Sequence, residues 1–352
     1  MRSVNETSES FPRRALILSA SFAGVFAVAA MLWRTCYVLS PMIIGALFGI
    51  FLHELSRFVR RVVPLGEGWA VSLTLVLLLV VLVVAGYALG MRVTEQFSQL
   101  MDMLPRGLEA AKQWLARNPR LHEMLHSLGS GGGAGGGSLS EGLRGIGSMV
   151  KAGFSLGVAV FTAFFTGVFL AYSPTFYSRG VLRLIPEEHR PRGQRLLSDL
   201  WRSLWLWTLG RLLVMVAITV GHFVAYWLLG VPLPFTLAII AGTLAFIPFL
   251  GPILATIPAG LVALTKSPSL MLWVIVVHAL VQTLESHVLT PLTQKYMVDV
   301  PALVTIASFL AFGEMLGVMG IIVATPAAAA LIVLVHHLYM APVLGERGAI
   351  SR

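Results

Sequence analysis

Three polar side chains interrupt an otherwise apolar run at residues 270–289: His278, Gln282 and Glu285. Their spacing of i, i+4 and i+7 puts them on one face of a helix. An imidazole, a carboxamide and a carboxylate in a row can bind and pass a proton, hold a cation, or hydrogen-bond a polar solute. The same stripe can also be a structural hydrogen-bond ladder, and Glu285 can sit near a membrane interface. Glu285 carries the functional reading most strongly, because a charged group at mid-membrane costs about 2.5–3.5 kcal/mol on insertion scales. His278 and Gln282 are more easily explained as structural groups.

Two further charges stand beside apolar sequence. Arg211 begins a hydrophobic run and is placed to snorkel toward the headgroups. If it is buried instead it needs an acidic partner, for which Glu285 and Glu314 are the candidates. Glu314 interrupts "AFGEMLGVMG" and is expected at a surface turn, with the transport path as the alternative. Elsewhere the chemistry is thin. "HELSR" (53–57) begins like a zinc-protease motif but lacks the second histidine. No metal-ligand cluster or nucleotide-binding loop is present, so no enzyme activity, metal or cofactor is expected. The glycine-rich "GSGGGAGGGS" (129–138) lacks the Lys-Ser/Thr pair of a phosphate-binding loop and reads as a linker.

The elements that position these residues follow from composition. Hydrophobic residues make up 57% of the 352 and charged residues 12%, where a soluble domain averages about 25% charged. Long apolar runs make this an all-α polytopic membrane protein with about eight transmembrane segments. Five divisions are expected: amino-terminal spans over 1–91, an external helical arm with a Gly-rich linker over 92–148, a span and basic cytoplasmic loop over 149–211, a carboxy-terminal transport bundle over 212–340, and a tail over 341–352. The run at 15–33 contains an A-x-A sequence, so signal cleavage is the alternative to a first span. The net charge of +9 comes mostly from arginines flanking apolar runs, which places the amino terminus in the cytoplasm and gives no nucleic-acid surface. Cys36 is the only cysteine, so no internal disulfide can form.

The stretch "FIPFLGPILATIPAG" (246–260) holds Pro248, Gly251, Pro252 and Pro258 within apolar sequence. Non-helical backbone at membrane depth is tolerated only where protein buries it or water reaches it. Transporters use such breaks to present free amides and carbonyls to a solute. A broken helix or hairpin is therefore expected here, with Pro248, Gly251 and Pro252 as substrate contacts and Pro258 as a hinge. A kinked packing helix is the alternative. A second interrupted region contains Gly313, Gly317, Gly320 and Pro326, also expected as hinge or hairpin positions. Gly45/Gly49, Gly86/Gly90, Gly153/Gly157 and Gly313/Gly317 form GxxxG pairs, read first as helix-packing contacts.

These segments resemble the AI-2E family of bacterial transporters, the autoinducer-2 exporters. The matching residues are "GVPLPFTLAIIAGTLAFIPFLGPILATIPAGLVAL" (230–264), Glu285 with Pro291, Pro301, "FGEMLGVMGIIVATP" (312–326) and, more loosely, "LSPMIIGALFGIFLHELSRFVRR" (39–61). Arg211 stands where the family usually has glutamine, His287 where asparagine is frequent, and Glu314 is unusual. The resemblance implies an inner-membrane homo-oligomer, with a pentamer as the candidate assembly and an elevator-like movement as the candidate motion. It also implies export of a small polar solute such as autoinducer-2, or cation/proton antiport. The expectation is a secondary transporter coupled to a proton or cation through Glu285. The alternatives are a sodium/proton antiporter and a membrane scaffold acting through its external arm.

Overall fold

The computed structural model describes residues 40–117, 149–294 and 300–340. The run at 15–33, the glycine-rich stretch, Pro119 and the tail at 341–352 lie outside the described residues. Within them every regular element is helical. In chain order these are α1 (Ser40–Val62), α2 (Glu67–Ala116), α3 (Met149–Tyr172), α4 (Pro174–Arg183), α5 (Arg190–Leu228), α6 (Pro234–Leu244), α7 (Leu250–Leu264), α8 (Pro268–Leu284), α9 (Thr290–Gln294), α10 (Ala302–Leu316) and α11 (Val318–Val335).

Among the described residues five helices are long and apolar enough to cross a membrane, or six if the bent pair α3–α4, turned through 89°, forms one span. The expected count of about eight included the run at 15–33, outside the described residues, and took 212–228 and 233–264 as separate crossings. The first is the apolar half of the 39-residue α5, whose basic half was expected to be loop. The second is divided into α6 and α7, of 11 and 15 residues. At 1.5 Å per residue they reach about 16 and 22 Å, short of a hydrocarbon core of about 30 Å. The protein is thus an all-α polytopic membrane protein with broken segments in its carboxy-terminal half.

Helix α2 is 50 residues long, continues well past its apolar stretch and passes through Pro105 without a break. Its distal part lies over the α6–α7 segment. Leu100 joins a buried cluster with Tyr226, Leu237, Val262 and Val274. Gln96 Oε1 accepts hydrogen bonds from the Thr236 backbone N (3.3 Å) and Oγ1 (2.8 Å), holding the first turn of α6. The arm therefore braces the element that carries the break.

Of the GxxxG glycines, Gly45 and Gly49 act as packing contacts between helices, whereas Gly86 and Gly157 face open space. A Cβ on Gly45 would lie 2.5 Å from the Ala163 carbonyl oxygen, and one on Gly49 would lie 2.6 Å from that of Gly167, so α1 and α3 meet backbone to backbone. "HELSR" is part of the same joint. His53 Nδ1 donates to the Ala171 carbonyl (3.0 Å), and Glu54 accepts from Trp201 Nε1 (2.9 Å) and from Arg57. At the other end, Gly317 (φ +62°) turns α10 back onto α11, a conformation that L side chains resist. Pro258 and Pro326 lie inside continuous helices, and Gly313 and Gly320 face the α10–α11 contact.

Candidate functional site: a buried ion pair at a helix break

Helix α8 starts where its sequence says it should. Ser267 caps it by accepting from the Leu270 amide (3.2 Å), and Pro268 fills the first turn, where no donor is needed. Glu285 ends the regular helix and opens a single π turn, Glu285–Leu289. Such turns insert an extra residue and re-aim the side chains beside them. Glu285 is buried.

Helices α6 and α7 are separated by five residues that hold Pro248, and a strained residue stands directly before each of the two helices. Leu233 precedes α6 at φ +55°, and Phe249 precedes α7 at φ +64°. Non-glycine residues held there cost about 1–3 kcal/mol each and persist only where the surrounding structure enforces them. Gly251 is buried immediately after the break, and a Cβ there would collide with the Leu244 carbonyl.

The end of α6 leaves carbonyls without helical partners. Arg211 of α5 supplies them. Its Nε donates to the Phe246 carbonyl (3.1 Å), its Nη2 donates to that of Ala245, and its Nη1 donates to Glu285 Oε1 (3.4 Å). Arg211 therefore does not snorkel. Its side chain is 11% exposed and that of Glu285 6%, so the pair is withdrawn from solvent. One guanidinium ties three elements together: α5, the α6–α7 break and the π turn after α8. Trp207 packs edge-on against Phe246, with ring centroids 5.7 Å apart, and steadies the same turn.

Beside this pair is a small cavity of about 10 Å³, room for one water molecule. His278, Gln282 and Glu285 all line it, as one helix face requires. Pro252 and Ala255 enter from α7, Ala241 and Ala245 from α6 and the break, and Ile218 and His222 from α5. Among the described residues Glu285 Oε2, His222 Nε2 and His278 Nε2 are buried without a hydrogen-bond partner. Pro248 lies in the break without lining the cavity. Glu314 is exposed near the α10–α11 turn, away from Arg211. No group of three or more His, Cys, Asp or Glu side chains able to hold a metal occurs among the described residues.

Two residues of this site were not singled out from sequence, His222 and Tyr226. Tyr226 O–H and His278 Nδ1 are 2.9 Å apart, and the His222 and His278 rings have centroids 4.4 Å apart. A signal for them was present. Arg211, Ile218, His222 and Tyr226 stand at i, i+7, i+11 and i+15, one face of a helix, opposite the stripe on α8.

Comparison with known proteins agrees with this architecture. The profile of the family described as "AI-2E family transporter" matches residues 20–340. "Putative transport protein YrrI" of Bacillus subtilis (strain 168) is 34% identical over 158 residues, covering 45% of each chain. "Putative transport protein YueF" of the same organism is 29% identical over 145 residues, 41% of this chain and 39% of that one. The chain thus aligns with less than half the length of these two relatives. "Putative transport protein MT0215" of Mycobacterium tuberculosis (strain CDC 1551 / Oshkosh) is 27% identical over 338 residues, 86% of this chain and 88% of that one. With its broken apolar helices, buried ion pair and near end-to-end family match, this multi-pass membrane protein belongs to the AI-2E family of transporters.

Proposed function

We propose that this protein is a secondary transporter that exports a small polar solute, autoinducer-2-like by family, across the inner membrane. Glu285 is the coupling group and the α6–α7 break is the solute contact. The amino terminus is cytoplasmic, and the working unit is a homo-oligomer of the kind the family resemblance implies. The observation that carries this reading is the Arg211–Glu285 pair laid across the broken helix. A buried ion pair is weak evidence for stability alone, since well-packed apolar residues often do as well or better. Placed where backbone carbonyls are exposed by a helix break, it has a use: Arg211 and the carbonyls can exchange partners with a solute, and Glu285 can exchange Arg211 for a proton or cation.

The cavity has room for one water molecule and none for an organic solute, so solute binding requires the break to move. The same small volume favours sodium/proton antiport as the second reading, because a bare cation needs little more room. Purified protein in proteoliposomes with an interior pH dye separates the two. A sodium gradient is imposed first, and autoinducer-2 is added in a separate run, each with wild type and Glu285→Gln. Proton flux that appears only with the organic solute and is lost in Glu285→Gln is expected for the exporter. Flux driven by sodium alone and lost in the variant establishes the antiporter. Unchanged flux in Glu285→Gln removes Glu285 from coupling under either reading.

A further inference from the structure

The site holds more titratable chemistry than one carboxylate needs. His222 Nδ1 lies 3.0 Å from the Ile218 carbonyl, which can only accept, so Nδ1 carries the proton and the neutral ring presents a bare lone pair at Nε2. His278 Nδ1 is taken by the Tyr226 hydroxyl at 2.9 Å. Each Nε2 is then buried, unpartnered and at the edge of the same water-sized cavity. A buried acceptor facing a second imidazole calls for a donor between them, and the cavity offers space for nothing larger than water.

We propose that His222 and His278 together form a proton-binding site, separate from the Arg211–Glu285 pair, that takes up a single proton at their Nε2 atoms. Hydronium reaching the cavity through entering water supplies the proton: one N–H bond forms on an existing lone pair, one O–H bond breaks, and neutral water is left. Only one proton is held, because two imidazolium rings with centroids 4.4 Å apart repel strongly away from solvent. A metal ion is the poorer occupant, since two imidazoles leave its coordination shell unfilled. The charged and titratable groups around the pair are Arg211 and Tyr226 on α5 and Glu285 on α8, while α6, α7 and α11 contribute none. Tyr226 is the positioning residue: its hydroxyl fixes the ring of His278.

The site gives the proposed transporter a proton store next to Glu285 and so rests on the reading of this cavity as the transport path. Its measurement does not. Full-length protein with ¹⁵N-labelled histidine, reconstituted in lipid bilayers, is titrated from about pH 4 to about pH 9 by solid-state NMR. His222→Gln and His278→Gln assign the two rings by loss of signal. In wild type the two Nε2 signals are expected to move together, with one midpoint and about half the full imine-to-imidazolium shift each. In His222→Gln, His278 is expected to titrate alone over the full shift. Tyr226→Phe is expected to move the His278 Nδ1 signal and leave His222 Nδ1 in place. Separate wild-type midpoints that ignore the partner's substitution overturn the proposal, as does the absence of any titration at either ring. Wild-type data decide this even where a variant fails to fold. Loss of flux in Glu285→Gln with the shared midpoint intact supports both readings, and a shared midpoint without any flux keeps this one alone.

Discussion

Removing Arg211 should damage the fold more than removing Glu285, and removing both should cost less than removing Arg211 alone. At 3.4 Å the two charges attract by about 5 kcal/mol at an effective dielectric constant of about 20. Most of that attraction offsets the desolvation of two buried groups. Arg211→Met leaves the Glu285 carboxylate buried and unpaired, which costs about 3–5 kcal/mol. That figure includes the Ala245 and Phe246 carbonyls losing their donor. Glu285→Met is milder, about 2 kcal/mol, because the guanidinium keeps both carbonyls as partners. In Arg211→Met/Glu285→Met no charge is left, so only the two carbonyls suffer and the total stays near 2–3 kcal/mol. The coupling energy is thus about 3 kcal/mol. Equilibrium unfolding in mixed detergent micelles, followed by tryptophan fluorescence, reads all four corners of the cycle. Additivity within about 0.5 kcal/mol would show that the two side chains are independent and would sink the account of the site given above.

Three other substitutions test the scaffold around the pair. Gly251→Ala drives a methyl group into the Leu244 carbonyl and is expected to lower stability by about 1–3 kcal/mol in the same unfolding assay. Gln96→Ala removes both hydrogen bonds to Thr236, about 1–2 kcal/mol, and should speed amide exchange at the start of α6 about tenfold if the arm braces that helix. Gly49→Leu forces α1 off the Gly167 backbone, so limited proteolysis of the α1–α2 loop should accelerate while cutting at the α8–α9 junction does not.

How far the sequence could be read depended on how local each cause was. The stripe His278–Gln282–Glu285 was legible because helix periodicity alone puts three polar groups on one line, and they do share a cavity. The break at 245–249 was legible because proline and glycine act on their own backbone. Pro105 and Pro258 carry the same local signal, yet both lie inside helices. Their lost hydrogen bonds are outweighed by the packing of α2 against α7, which no local pattern records. The partner of Arg211 was also beyond local reading, since Glu285 is 74 positions away and Glu314 was as good a candidate. The π turn that aims Glu285 inward has no residue signature at all. His222 and Tyr226 are different: their spacing from Arg211 was visible, but a histidine and a tyrosine in an apolar helix draw little notice until a second polar stripe faces them.

Arginine rather than glutamine at position 211 has a physical consequence for any transport cycle. Glutamine could cap one carbonyl of the α6–α7 break and accept or donate one further bond, with no charge to compensate. Arginine caps two and demands a carboxylate, so here the break is closed by an ion pair. Under the proposed function, parting that pair without a replacement costs about 3–5 kcal/mol, enough to keep an open state below about 1% of molecules. A proton or cation at Glu285 lowers that cost only if Arg211 finds another anion or acceptor at the same moment. A solute bearing a carboxylate, phosphate or vicinal hydroxyls would supply it, and an apolar or cationic solute would not. Under that proposal the break would select for an acceptor-rich solute by the charge it leaves behind, whatever the shape of the opened cavity, and Arg211→Gln should relax that selection while raising uncoupled leak.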